Sequence, residues 1–125
     1  MSLTSPLVYY WENIEGKKKS KKGEKPHYLV SNYIIEKMER KFEECGKPKE
    51  MIYTIKPKEL VKEIKKSIPE CSDITTREVG CIIPTILQKS GLREREDYYD
   101  SLSGGNRYWH VILSINNIKL LMSLK

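Results

Sequence analysis

The sequence predicts an α+β fold, mostly helical, and three observations predict it. Apolar residues recur at helical spacing in four separate stretches: Val30, Ile34, Met38 and Phe42; Leu60, Val61, Ile64 and Ile68; Val79, Ile82, Ile83, Ile86 and Leu87; Ile115, Ile118, Leu121 and Met122. Trp109, Val111 and Leu113 alternate instead, as a half-buried strand requires, and follow the turn residues Ser103, Gly104, Gly105 and Asn106. A short β-prone run, MIYTI at Met51–Ile55, supplies a further strand.

With 125 residues the chain has material for one domain with one modest core. No run of apolar residues is long enough to span a bilayer, and the first residues lack an apolar signal segment, so the expectation is a cytoplasmic protein without membrane contact. Cys45, Cys71 and Cys81 are odd in number and form no CxxC pair, which favours reduced thiols over a disulfide scaffold. With only His27 and His110 to accompany them, no metal is expected.

The formal net charge is +6, and its distribution says more than its size. Residues 17–25 hold six lysines against Glu24, a net of +5, so the other 116 residues carry only +1. Such an arm is either a solubilising loop or a contact to phosphates that carries no sequence information. Before it lies an apolar-aromatic run, LVYYW at 7–11, read as a strand or a packing segment.

A long first helix is expected over 28–45. Its buried stripe is Val30, Ile34, Met38 and Phe42, with Ile35 and Cys45 beside it. Its opposite face mixes Glu36, Lys37, Glu39, Arg40, Lys41, Glu43 and Glu44, which suits solvent and i,i+4 pairing. Gly46 and Pro48 stop it. Pro57 can open a second helix because the first helical residue needs no N–H. The outer face of that helix carries Lys56, Lys58, Lys62, Lys65 and Lys66 against Glu59 and Glu63, and Pro69 ends it.

The third helix is announced by a capping box, Thr75 and Glu78, and stopped by Gly91. Its apolar stripe leaves Arg77, Cys81, Pro84, Thr85 and Gln88 outward, flanked by Thr76 and Lys89. Pro84 removes one helical hydrogen bond and crowds the carbonyl of Gly80. The helix is therefore expected either to bend at Gly80–Pro84 or to split there. A hairpin is expected over 92–113, with Tyr98, Tyr99 and Tyr108 near its tip. Arg93, Arg95 and Arg107 are its cations, against Glu94, Glu96, Asp97 and Asp100. A last helix over 114–125 must cover the domain or meet a partner chain.

A helix followed at once by a two-stranded hairpin, with another amphipathic helix before it, resembles a winged helix-turn-helix over 54–113, about half of the chain. The resemblance divides the chain into an N-terminal extension with its lysine-rich loop (1–27), a winged-helix domain (28–113) and a C-terminal packing or dimerisation helix (114–125). It implies that 51–55 pairs with the wing, and that the third helix enters the major groove of duplex DNA. Arg77, Thr85 and Gln88 would then reach base edges, and Thr76 and Lys89 would hold phosphates. Lys58, Lys62 and the arm lysines Lys17, Lys18, Lys19, Lys21 and Lys22 would hold the backbone, while Arg107 at the wing tip would touch the next groove. It further implies a transcriptional regulator acting as a homodimer. The alternative is a winged-helix module for protein–protein contact in a replication or transcription assembly, which the acidic hairpin favours.

No phosphate loop, GxSxG, HExxH or dinucleotide-binding glycine pattern is present, so neither an enzyme nor a cofactor is expected. The acids Glu94, Glu96, Asp97 and Asp100 read as a solvated strand edge before they read as a cation site.

Overall fold

The computed structural model describes residues 27–125. The run at 7–11 and the lysines at 17–22 lie outside the described residues. Four helices and a three-stranded antiparallel sheet follow in the order α1 (His27–Glu44), β1 (Met51–Ile55), α2 (Pro57–Ser67), α3 (Thr76–Ser90), β2 (Tyr98–Ser103), β3 (Asn106–Leu113) and α4 (Ile115–Met122). A single 3₁₀ turn, Pro69–Cys71, joins α2 to α3. The sheet order is β1-β3-β2, so the last strand lies in the middle.

The core is where the four helices meet one face of the sheet. Val30, Ile34, Ile35, Met38 and Phe42 of α1 are buried, as are Leu60, Val61 and Ile64 of α2. Ile68 is only half-buried and Cys45, just past the end of α1, is exposed, so both stripes end a turn earlier than their spacing suggests. Val79, Ile82, Ile83, Ile86 and Leu87 of α3 are each at most 1% exposed, which makes α3 the central packing element. From the sheet, Tyr98, Trp109, Val111 and Leu113 close the core, with the Tyr98 and Trp109 rings 6.2 Å apart.

Local chemistry sets the ends of α3. The Thr75 hydroxyl accepts from the Glu78 amide at 3.2 Å, and the Glu78 carboxylate accepts from the Thr75 amide at 2.9 Å. Such a cap is worth about 1 kcal/mol. At the other end Gly91 takes φ +99°, and Leu92 N–H reaches back to the Leu87 carbonyl. Between these ends α3 runs unbroken through Pro84. Packing on all five stripe residues outweighs the loss of roughly 3 kcal/mol that an interior proline brings. A Cβ added at Gly80 would meet nothing within 4 Å.

The hairpin is shorter than its predicted span. Residues 92–97 form a turn, not strand, because Asp97 ties them locally. Its carboxylate accepts from the Arg93 amide at 2.8 Å, and its own amide donates to the Arg93 carbonyl at 2.7 Å. Arg95 adopts φ +73° inside this turn, a conformation that ends a ladder. Tyr98 consequently lies at the end of β2 remote from the tip, opposite Val111, and is buried. At the tip Gly104 and Gly105 both have positive φ, as a two-residue hairpin loop with the twist of its strands requires.

The helix over Ile115–Met122 covers its own domain with most of the predicted face, Ile118, Leu121 and Met122, and leaves Ile115 outside it. Asn117, Leu121 and Leu124 are buried, Ile118 and Met122 are half-buried, and Ile115 is exposed. Asn117 sets this rotation: its side-chain amide donates to the Ile112 carbonyl at 2.8 Å and to Asp97 at 3.4 Å. Along the seam between α1, β1 and α2, Lys37 and Glu63 form an ion pair at 2.8 Å, and the Tyr33 hydroxyl donates to the same Glu63 oxygen. The hydrogen bond that Lys37 donates to Glu63 raises the Lys37 pKa above 10.5, and burial raises that of Tyr53 above 10.0.

Both shifts have one sign. A folded-state pKa above its unfolded value gives stability that is complete below the unfolded pKa and lost as pH rises through the folded one. Chemical denaturation from about pH 9 to 11.5 is expected to show falling stability, with a shallower fall in Glu63→Gln. Gly80→Ala is expected to raise stability by about 0.5–1 kcal/mol, read as an upward shift of the thermal midpoint, because an alanine fits the space and prefers the helix.

Candidate functional site

A groove of about 440 Å³ lies where the first turns of α2 and α3 face the tip of the β2–β3 hairpin. Its walls are Lys56, Pro57, Lys58, Glu59 and Lys62 from the start of α2, Thr76, Arg77 and Gly80 from α3, and Gly105 to Trp109 from the hairpin. The groove exists because β1 stops early. Ile55 pairs with Trp109, and the next residue, Lys56, already caps α2. Pro57 has no N–H to offer a ladder and opens the helix instead. β3 continues past this point, from Trp109 to Asn106, with β2 as its only partner among the described residues.

The electrostatics of the groove follow from these elements. Lys56, Lys58, Lys62, Arg77 and Arg107 bring five cations to it, against Glu59. All five are exposed. The first amides of a helix have no intrahelical acceptor and carry the positive end of its dipole, and two helices begin here. Arg107 is partly compensated: Asp100, across the hairpin, holds its Nε at 3.4 Å. Below the cations the wall is apolar, made of Pro57, Gly80 and Trp109. Trp109 is 7% exposed, and its indole N–H has no hydrogen-bond partner among the described residues.

Of the residues singled out from the sequence, Lys58, Lys62, Thr76, Arg77 and Arg107 converge on this groove. Thr85, Gln88 and Lys89 do not line it. They sit on the later turns of α3, where Gln88 and Lys89 are exposed and Thr85 is half-buried. The Thr85 hydroxyl donates to the Cys81 carbonyl at 2.9 Å, so the helix backbone already occupies it. Lys17, Lys18, Lys19, Lys21 and Lys22 lie outside the described residues. Lys56 and Trp109 were legible only as an outer-face lysine and a core residue. The signal that joins them is the Pro57 that turns the chain out of β1.

Two further features bear on the surface. Leu102, opposite Arg107 on β2, is 68% exposed near the hairpin tip. On the outer face of the sheet His110 is held by two hydroxyls, with Thr54 Oγ1 at 3.0 Å from Nδ1 and Ser101 Oγ at 2.8 Å from Nε2, and stacks on Tyr99. His110 thus ties the three strands together. The hairpin acids are engaged locally, Glu96 with Arg93, Asp97 in its turn and Asp100 with Arg107. Among the described residues no three His, Cys, Asp or Glu side chains are placed to hold a metal ion. Among them, too, no helix is long and apolar enough to cross a membrane.

Comparison with protein-family models, with curated proteins and with solved structures finds no match to this chain.

Proposed function

We propose that this chain is a winged helix-turn-helix protein that binds duplex DNA, with a role in regulating transcription. The order helix, strand, helix, helix, hairpin, with β3 between β1 and β2, is compatible with that architecture. The observation that carries the reading is the convergence of Lys56, Lys58, Lys62, Arg77 and Arg107 on one groove beside the first turns of two helices. In this reading α3 enters the major groove by its first turns, with Arg77 nearest the base edges. Lysines of α2 hold the phosphates of one strand and Arg107 those beyond the wing. The arm at 17–25 adds contacts that do not depend on sequence. Gln88, further along α3, reaches bases only if the helix lies flat in the groove.

A second reading, a surface for protein contact, is favoured by the outer face of the sheet. There Ile52, 56% exposed, lies opposite Ile112, and Tyr99 stands beside His110. A homodimer through α4 has narrower support, since Leu121 and Leu124 are spent within their own chain and Ile115 is the exposed apolar residue of that helix.

Anisotropy of labelled duplex DNA, titrated at several salt concentrations, tests the DNA reading. Affinity is expected to fall with salt by about 0.9 in the log–log slope for each phosphate neutralised. Lys58→Ala and Lys62→Ala should each lower that slope by about one such increment and weaken all sequences alike. Arg77→Ala should also relax any sequence preference by about 1–3 kcal/mol. Flat binding across salt, or none, would reject the proposal. Asp100→Asn is expected to tighten binding severalfold, because it releases Arg107 and removes an acid beside the phosphates.

A further inference from the structure

β2 is an edge strand, with β3 as its one strand neighbour among the described residues. The two-residue tip makes Ser103 and Asn106 the last hydrogen-bonded pair of the hairpin. Bonding alternates from there. Ser101 and Tyr99 also bond β3, whereas Asp100 and Leu102 turn their N–H and C=O groups outward. Further back the edge is already taken, because the Tyr98 carbonyl accepts from the Arg95 amide at 2.6 Å. The open edge therefore runs from Asp100 to Gly104, with Leu102 at its centre. Leu102 is 68% exposed, more than any other large apolar side chain described. Open edges invite a further strand and are usually guarded by lysine, proline or a bulge. β2 holds no lysine or proline, its register with β3 runs without a bulge, and its one acid, Asp100, is paired with Arg107. The opposite edge of the sheet is guarded: Arg40 and Lys41 of α1 lie beside Tyr53 of β1.

We infer that β2 pairs antiparallel with β2 of a second copy of this chain, about a two-fold axis through Leu102. On that axis the two Leu102 residues exchange their outward hydrogen bonds. Their side chains meet on one face of the sheet, where facing Cβ atoms come about 4.5–5.5 Å apart. Charge selects this centre. Asp100 then faces the partner's Gly104, whereas an axis through Asp100 would set two carboxylates opposite each other, which destabilises a strand pair. An axis through Ser101 would drive the partner's tip into the turn at Arg95, which already holds Tyr98. The product is one continuous sheet in the order β1-β3-β2-β2-β3-β1. The axis stands perpendicular to that sheet, so both cationic grooves come to the same side of it. One strand pair covers less than the roughly 1,200–2,000 Å² of a standard stable interface. The dimer is therefore weak, and fills at high protein concentration or when two copies share one nucleic acid. It forms without nucleic acid and does not rest on the DNA reading.

Sedimentation equilibrium of the full chain without DNA, from micromolar to millimolar, is expected to show monomers in equilibrium with dimers. Leu102→Pro should weaken the dimer at least about tenfold, because two hydrogen bonds of ordinary net strength are lost across the axis. The ladder to β3 takes no N–H from Leu102, and an edge position of this kind accepts proline, so the variant should stay folded. Leu102 does not line the groove, so duplex binding is tested separately. Cross-linking gives a second readout in a Cys45→Ser/Cys81→Ser chain, whose remaining Cys71 is buried. There Leu102→Cys should form a disulfide dimer under mild oxidation, since facing hydrogen-bonded residues have Cα atoms about 5.5 Å apart, within disulfide range. Ile52→Cys and Ile115→Cys, at the next most exposed apolar positions, should not. A chain that stays monomeric at millimolar concentration would overturn the inference. So would a dimer that folded Leu102→Pro leaves as strong as the parent's. Cross-linking at Ile115→Cys or Ile52→Cys and not at Leu102→Cys would overturn it as well, and move the interface to α4 or β1.

Discussion

Ile55 faces Trp109 across the β1–β3 ladder, and the functional geometry depends on where that ladder stops. Pro57 cannot donate to a strand, so the chain leaves the sheet at Lys56 and starts α2 at once. That exit does three things. It leaves the outer half of the hairpin projecting as a two-stranded arm, it brings the first turn of α2 beside that arm, and it sets Trp109 at the boundary between core and surface. A strand longer by a few residues would cover the hairpin edge and close the groove.

The opposite wall is held by α3, whose five buried stripe residues anchor it among α1, α2 and α4. Removing any one of its isoleucines or Leu87 to alanine would cost about 2–5 kcal/mol, so the stripe together far outweighs the loss at Pro84. The capping box then fixes the N-terminus, which places Thr76 and Arg77 at the groove mouth rather than in a frayed turn. A packed core thus presents exposed lysines and arginines on the rim of the groove. The exposed acids of the hairpin do not contradict this. Asp97 closes a turn at the far end of β2, and Asp100 is the one acid aligned with Arg107.

Much of this fold was legible in the residues. Periods of about 3.6 and 2 placed each helix and the buried strand face, and Thr75, Glu78, Gly91 and the Gly104–Gly105 tip signalled their own conformations, because these are local effects. What was not legible was tertiary. Asp97 bonds its own turn and shortens β2, and Asn117 bonds Ile112 and rotates α4 so that Ile115 faces out. No periodicity encodes either bond. The site was half legible for the same reason. Charge and helix position found Lys58, Lys62, Thr76, Arg77 and Arg107, whereas Thr85, read as outward, has its hydroxyl turned to the Cys81 carbonyl. That Lys56 and Trp109 share a groove follows from strand register, which sequence spacing alone does not give.

Amide chemical-shift mapping tests the central claim most directly, because it reports which surface meets nucleic acid without presuming it. On titration of the isotope-labelled full chain with duplex DNA, shifts should concentrate at Lys56, Lys58, Glu59 and Lys62, at Thr76, Arg77 and Gly80, and from Gly105 to Trp109. Shifts centred on Ile52, Tyr99 and Ile112, or on α4, with the groove unmoved, would contradict the account and make the outer sheet or the terminal helix the working surface.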